Sequence, residues 1–121
     1  MKYQKSGCAT GVPDATQAIN LMGNAKTSGR RLFLQQAHFF NDTVSPNTGS
    51  VIGLFDLVAA TGAPSTTALK FLITPDYSAD QLTIVSFPGE GMEFKLGCCV
   101  GLQVACTATG YTVCGGVGYE V

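Results

Sequence analysis

The sequence predicts an all-β protein, an antiparallel β-sandwich or jelly roll of about eight short strands. Runs rich in β-branched and aromatic residues alternate between apolar and polar positions, which is typical of half-buried strands. The 15 glycines and five prolines separate these runs, at roughly the 8–12-residue spacing expected of a sandwich. No segment carries a sustained helical pattern with capping residues.

The elements follow in chain order from this alternation. Residues 1–14 contain Gly7, Gly11 and Pro13 and are expected to form an irregular, extended N-terminal arm, followed by a single sandwich domain over residues 15–121. Strands are expected at residues 16–22, 30–40, 50–57, 67–74, 81–87, 92–96, 99–107 and 111–115, with a final strand toward Val121. The strands at 99–107 and 111–115 should form a hairpin-like pair, and residues 56–60 allow a short helical turn.

The phase of each strand indicates which residues point inward. In the strand at 30–40, Phe33, Ala37 and Phe39 share one face, whereas Leu32, Leu34, Gln36 and His38 share the other. Gly53 falls on the face of Phe55, where it marks a bulge or a close contact. A tight corner is expected at residues 88–91. The residues expected between the two sheets are Phe33, Phe55, Phe71, Ile84, Phe94 and Leu96.

Length and composition limit the class of protein. A chain of 121 residues is the usual size of one domain. Charged residues make up only 12%, against about 25% in typical soluble domains. Two explanations are open. Either the sandwich has a well-filled core and outer faces of uncharged polar residues, or neighbouring subunits cover part of its surface. No apolar run is long enough for a membrane span or a signal peptide, so we expect synthesis in a reducing cytosol.

The charges are unevenly distributed along the chain. Residues 1–31 carry five basic residues and one acidic residue, whereas residues 32–121 carry two basic and seven acidic residues. A basic segment joined to an acidic body suggests contact with an acidic surface, such as a neighbouring copy, although scattered solvated charges would give the same count. The basic residues expected to contact a partner are Lys2, Lys5, Lys26, Arg30 and Arg31.

The residue types that carry catalysis do not form a recognisable motif. His38 is the only histidine and lies within a strand, which indicates a structural role. Two pairs of acidic residues occur at expected turns, Asp76 with Asp80 and Glu90 with Glu93. Acidic residues at turns usually cap the backbone and are exposed to solvent. The glycine-rich segments at 89–91 and 115–118 lack the strand-to-helix context of a phosphate loop.

The five cysteines, Cys8, Cys98, Cys99, Cys106 and Cys114, show neither metal-site spacing nor a secreted disulfide framework. Adjacent strand residues point to opposite faces, so Cys98 and Cys99 should remain unpaired. The sequence leaves open whether Cys106 and Cys114 form a disulfide. We therefore predict no enzyme, and no catalytic, cofactor-binding or metal-binding residues.

A resemblance to a known family adds a function. Arg31-Leu32-Phe33-Leu34, Phe40-Asn41-Asp42 and Ile52–Asp56 are followed by Ser86–Phe94, Gly97–Gly110 and Tyr119. Over residues 30–121 this order resembles small virion proteins of tailed bacteriophages, the head-decoration or cement type with a β-sandwich or jelly-roll core. The resemblance implies a virion protein made in the host cytoplasm that forms a homo-oligomer, for example a trimer, and binds the major capsid protein.

The resemblance implies no active-site residues. We expect binding to neither nucleic acid nor membrane. The alternative function is a small carbohydrate- or ligand-binding β-sandwich module.

Overall fold

A computed structural model describes residues 1–10, 19–23, 25–41, 51–58, 67–74, 81–102 and 112–121. These residues form strands and turns, and among them there is no helix long and apolar enough to cross a membrane. In chain order the strands are β1 (Tyr3–Thr10), β2 (Ile19–Asn20), β3 (Leu32–Asn41), β4 (Ile52–Asp56), β5 (Leu69–Ile73), β6 (Gln81–Ser86), β7 (Met92–Phe94), β8 (Cys98–Leu102) and β9 (Thr112–Glu120). The predicted all-β antiparallel class is confirmed.

The strands form two sheets with the order of a jelly roll. One sheet runs β1-β9-β3-β6, with β7 also paired to β3, and the other runs β2-β8-β4-β5. Strands β6 and β7 pair with successive parts of β3, so together they act as one strand interrupted by a corner. Gly89 and Gly91 in this corner have positive φ angles, which glycine adopts readily. The predicted tight corner is confirmed.

Apolar side chains from both sheets meet in one core. Strand β3 supplies Leu32, Leu34, Ala37 and Phe39, and the facing sheet supplies Ile52, Leu54, Ile73, Cys98 and Val100, all buried. Of the six residues predicted between the sheets, Phe94 belongs to this core, whereas Phe33 and Phe55 are buried but lie outside it. The prediction is wrong for Phe71, Ile84 and Leu96, which are 37%, 53% and 48% exposed.

A bulge in β3 explains why its predicted faces are wrong. The register with β9 shifts between Leu34 and Gln36, and one extra residue exchanges the two faces of a strand. Leu34 before the bulge and Ala37 after it therefore both point into the core. Phe33 lies on the outer face, where its ring stacks on Tyr119 with 5.2 Å between centroids.

Three further predictions about elements are corrected. The arm predicted over residues 1–14 is not irregular at Tyr3–Thr10, which pair with β9 along the whole of β1. The hairpin-like pair is wrong because β8 and β9 belong to different sheets. Residues 112–115 and the predicted final strand are one continuous strand, β9.

Other parts of these predictions lie outside the described residues. They include residues 11–14 of the arm, residues 16–18 of the first predicted strand, and residues 59–60 of the predicted turn. The described part of that turn, residues 56–58, is not helical. Within residues 19–22, the described part of the strand predicted at 16–22, Ile19–Asn20 is strand and residues 21–22 form a turn.

The strand ends divide the molecule into two poles. At one, which we call the crossover end, the chain leaves β1, β3, β5 and β8 and enters β2, β4, β6 and β9 in the opposite sheet. The register places these ends together, since Asn41 pairs with both Gln81 and Thr112, and Ile52 pairs with both Ile73 and Leu102. The opposite pole, the terminal end, carries the start of β1 and the end of β9.

Candidate functional site

The five basic residues predicted to contact a partner all lie at the terminal end. Lys2 and Lys5 belong to the start of the chain and β1, whereas Lys26, Arg30 and Arg31 belong to the connection between β2 and β3. Strand β9 ends between these two segments, because β1 and β3 both pair with it. Pairing of the first strand with the last therefore gathers a basic segment around acidic residues of the same chain.

Glu120 is the centre of this group. Lys5 Nζ donates to Glu120 Oε1 at 2.7 Å and to the Ala25 carbonyl at 2.8 Å. The backbone N–H and the hydroxyl of Thr27 also donate to Oε1. Burial alone would raise the pKa of Glu120, but the hydrogen bonds from Lys5 and Thr27 outweigh it and lower that pKa. The carboxylate thus joins β1, β9 and the β2–β3 connection.

The second oxygen of Glu120 is less well satisfied. Oε2 is buried and has no hydrogen-bond partner among the described residues, and Arg30 Nη1 approaches it only to 3.9 Å. The Arg30 guanidinium instead stacks over the Tyr3 ring at 3.8 Å from its centroid. Arg30 therefore stays partly exposed as a cation above a carboxylate that is already neutralised by Lys5.

Four side chains form a stack on the outer face beside this cluster. Lys2 lies 4.5 Å from the centroid of Tyr119, Tyr119 stacks on Phe33, and Arg31 lies 5.0 Å from the centroid of Phe33. Each contact is a cation–π or offset aromatic interaction. Arg31 also donates to Glu93 at 2.8 Å, which raises the pKa of Arg31 and lowers that of Glu93.

The suggested contact between the basic segment and an acidic surface is thus partly made inside one chain. Lys5 and Arg31 are held by Glu120 and Glu93, and the Lys5 side chain is only 14% exposed. Lys2 and Lys26 form no ion pair within the described residues; Lys26 Nζ meets only the neighbouring Thr27 carbonyl. A partner contact by the five basic residues stays a prediction, with Lys2, Lys26 and Arg30 the least neutralised.

A second surface, the β6 patch, was missed by the sequence reasoning. It consists of Leu82 and Ile84, which are 54% and 53% exposed, with half-buried His38, Phe40 and Val113 beside them. Cross-strand pairing places His38 opposite Ile84, and Phe40 opposite Leu82 and Val113. These five residues therefore share one outer face. The alternation of β6 was visible in the sequence, but not which of its two faces points outward.

His38 lies in the middle of β3, as expected, and its structural role stays a prediction. Its imidazole lies over Gly115, where a Cβ atom would collide with Nε2. The described residues contain no group of three His, Cys, Asp or Glu side chains close enough to hold a metal ion. Glu93 is paired with Arg31 and not with Glu90, and Asp76 and Asp80 lie outside the described residues.

The thiols point into separate environments. Cys98 joins the core between the sheets, whereas Cys99 approaches the Leu57 carbonyl at 3.6 Å. Both are free, as predicted, and Cys114 is also a free thiol facing the core. Burial raises the pKa of Cys98, that of Cys99 to about 11 and that of Cys114 to about 12. Cys8 is exposed, and Cys106 lies outside the described residues.

A groove of about 730 Å³ opens at the terminal end beside β4 and β5. Its lining residues are Asp56, Leu57, Thr67, Ala68, Leu69, Lys70, Lys95 and Leu96. The Asp56 carboxylate accepts hydrogen bonds from the backbone N–H groups of Lys95, Leu96 and Gly97. This residue therefore fixes the β7–β8 turn against β4, while the two lysines leave the groove with positive charge.

Comparison with protein-family models and with curated proteins finds no match for this chain.

Proposed function

We propose that this chain is a virion structural protein, a decoration or cement protein that oligomerises and stabilises a bacteriophage head by binding the major capsid protein. The observation that carries the proposal is the β6 patch. It places two large aliphatic side chains, Leu82 and Ile84, more than half exposed on the outer face of a jelly-roll sheet. Exposed apolar patches on small domains usually mark contacts with other proteins.

Burial of the patch against a partner would stabilise the contact. Apolar surface contributes about 25 cal/mol per Å² when it is removed from water. Leu82 and Ile84 are two residues apart on the outer face of β6. Their cross-strand partners Phe40 and His38 extend the patch onto β3. Contact with a capsid protein or with a second copy would remove these side chains from water.

Attachment to phage heads tests the proposal. The variant Leu82→Thr/Ile84→Thr places threonine, which favours strands, at both positions but removes most of the exposed apolar surface of β6. We expect it to fold normally and to lose about tenfold or more in affinity for capsids, measured by co-sedimentation with heads lacking the protein. Ser86→Thr, on the same face of the same strand, is the matched control and should bind normally.

Unchanged capsid binding by Leu82→Thr/Ile84→Thr would remove the patch from the proposal. Failure of the unaltered chain to bind any head or to self-associate would overturn the proposal itself.

The second candidate is a carbohydrate- or ligand-binding module, favoured by the groove. Its polar residues Lys70, Lys95 and Thr67 lie among leucines, a combination typical of small-molecule sites. Acidic glycans would suit the two lysines. Retention of a glycan that is lost in Lys95→Ala, but kept in Leu82→Thr/Ile84→Thr, would favour this candidate over the decoration protein.

A further inference from the structure

Strand β1 is the longest uninterrupted edge strand in the described part of the structure. It has eight residues, whereas the other strands at sheet edges, β2, β5, β6 and β7, have two to six. It pairs with β9 along its whole length without a register shift. An edge strand of this length presents a row of backbone N–H and C=O groups that can pair with another chain.

The hydrogen bonds of the neighbouring strands show which backbone groups of β1 point outward. Arg31 and Val121 exchange backbone hydrogen bonds in both directions at 2.9 Å, so the backbone groups of Val121 point toward β3. Glu120, the last residue of β9, therefore directs its backbone groups to β1, where its partner is Tyr3. Tyr3 and every second residue after it bond to β9. The residues between them direct their N–H and C=O groups away from β9: Gln4, Ser6, Cys8 and Thr10.

Three observations indicate that this edge is accessible to a partner. Gln4, Ser6 and Cys8 are exposed. Among the described residues, no backbone hydrogen bond reaches β1 from a segment other than β9. The features that usually block an edge are also missing from β1, since the strand contains no proline and its one lysine, Lys5, is turned inward to Glu120. The outward groups of β1 can therefore accept a further strand.

We propose that two copies of this chain pair β1 with β1, antiparallel about a two-fold axis, and so join their β1-β9-β3-β6 sheets into one. The inference rests on the self-association proposed above and names its surface. With the axis near the middle of the strand, at Ser6 or Gly7, the outward groups exchange about six to eight backbone hydrogen bonds. Because the contact pairs one surface with itself, it uses the free edge of both copies and ends at a dimer.

The occupant is a second copy because the edge is complementary to itself. Two antiparallel strands related by a two-fold axis align the outward N–H groups of each with the C=O groups of the other. A strand from another protein would need an equally free edge, whereas every copy of this chain carries one.

The charges near β1 are compatible with this pairing. Lys5 is neutralised by Glu120 within its own chain. The two Lys2 residues lie at opposite ends of the paired strands, about eight residues or 27 Å apart along the strand. That distance is several times the Debye length of about 8 Å at physiological ionic strength, so the two lysines do not repel each other appreciably.

The dimer leaves the β6 patch uncovered. Strand β6 lies at the opposite edge of the sheet from β1, three strand spacings or about 14 Å away. Dimerisation and capsid binding therefore use separate surfaces, and variants can remove one without the other.

Two charge variants test the pairing. Ser6→Lys/Cys8→Lys and Ser6→Glu/Cys8→Glu place like charges opposite each other whether the axis lies at Ser6 or at Gly7. We expect each variant alone to self-associate about tenfold or more weakly than the unaltered chain. Mixed in equal amounts, they should form a heterodimer, because lysine then faces glutamate. Ser6→Thr/Cys8→Thr favours strands without adding charge, and this matched control should dimerise normally. Analytical ultracentrifugation across micromolar concentrations measures all four.

A backbone variant separates strand pairing from contact between side chains. Ser6→Pro removes an outward N–H group and leaves the hydrogen bonds from β1 to β9 in place, since an edge strand accepts proline on its free side. We expect a folded protein, checked by circular dichroism, that dimerises about tenfold or more weakly. If Ser6→Pro does not fold, the mixture of the two charge variants decides alone.

The outcomes separate this inference from the proposed function. If both charge variants self-associate like the unaltered chain, β1 is not the contact. If the unaltered chain stays monomeric but binds phage heads, the pairing is wrong and the decoration function stands. If that monomer loses head binding in Ser6→Pro and in both charge variants, the edge receives a strand of the capsid protein instead. A dimer through β1 that binds no phage head would support the pairing and count against the decoration function.

Discussion

Glu120 connects the two termini of the chain through one buried carboxylate. Its side chain is 4% exposed, and Lys5 supplies the nearest cation at 2.7 Å. Breaking a buried pair by removing one partner costs more than the pair itself contributes, because the remaining charge stays buried. We predict that Lys5→Met lowers the free energy of unfolding by about 3 kcal/mol, measured by urea denaturation at pH 7.

The same pair gives a control at acid pH. The double variant Lys5→Met/Glu120→Gln removes both charges and should be more stable than Lys5→Met alone. The cost of Lys5→Met should also shrink as the pH falls through the lowered pKa of Glu120, since the protonated acid no longer needs a cation. An equal cost at pH 7 and pH 3 would show that Lys5 acts only through its packing.

The thiols give a second prediction at the residue scale. In a Cys106→Ser background, we predict one fast-reacting thiol in the native protein at pH 8, the exposed Cys8. Cys99, with its pKa raised to about 11, is roughly one part in a thousand thiolate at that pH. Titration with an aromatic disulfide reagent counts the fast thiols, and Cys8→Ser should abolish the fast phase. Two or more fast thiols would contradict the burial of Cys98, Cys99 and Cys114.

Single glycines show how far residue types can be interpreted from sequence. Gly53 was expected to mark a bulge or close contact, and a Cβ there would lie 2.6 Å from the Phe55 ring. The close contact is confirmed because the strand phase placed both residues on one face. Gly118 was considered only as part of a glycine-rich segment. Its Cβ would collide with the Phe33 carbonyl oxygen, a contact with β3 that no local pattern encodes.

At the scale of elements, alternation predicts where strands lie better than which way they face. The strands at 30–40, 81–87 and 92–96 correspond to β3, β6 and β7. The bulge between Leu34 and Gln36 nevertheless exchanged the faces of β3. Ile84 was assigned to the core because an alternating strand has two candidate faces, and only its pairing with β3 decides between them.

The first strand is the element whose role changes most. Residues 1–14 resemble an arm in sequence, yet β1 pairs with β9 from Tyr3 to Thr10. We predict that deleting residues 1–10 destabilises the fold by more than about 3 kcal/mol, because it removes a strand and leaves Glu120 without Lys5. Deleting only residues 1 and 2, which precede β1, should leave the thermal midpoint within a few degrees.

Circular dichroism and urea unfolding distinguish these two truncations. A stable, fully folded protein lacking residues 1–10 would show that β1 is dispensable and restore the prediction of a separate arm.

At the scale of the whole molecule, the class of fold followed from the sequence but its topology did not. Alternation and turn residues are local, whereas β1 pairs with a strand more than 100 residues away. The jelly-roll order places four of the six crossings between the sheets at one end and the other two, β2–β3 and β7–β8, at the opposite end, so residues distant in sequence meet. The charge asymmetry was visible in the sequence, but its partial neutralisation by Glu93 and Glu120 depends on that topology.

The pKa shifts of two carboxylates and three thiols, which are opposite in direction, predict the pH range in which the protein is stable. Glu93 and Glu120 have lowered pKa values. Their stabilising effect is therefore present above the unfolded value of about 4.5 and is lost as the pH falls through the folded values. Cys98, Cys99 and Cys114 have raised pKa values. Below about pH 9 these thiols are neutral in both the folded and the unfolded chain, and their contribution to the free energy of unfolding is complete. That contribution is lost as the pH rises toward 11 for Cys99 and toward 12 for Cys114.

We therefore predict a plateau of thermal stability between about pH 5 and 8, with a decline on each side. Differential scanning calorimetry across pH 3 to 11 measures it. In Cys99→Val, which keeps a small apolar side chain on that face of β8, the alkaline decline should be less steep, because a valine has no thiol to ionise in the unfolded chain. The acid decline should be unchanged in that variant. An alkaline decline identical to that of the unaltered chain would mean that ionisation of Cys99 does not limit stability, and that other groups cause the loss.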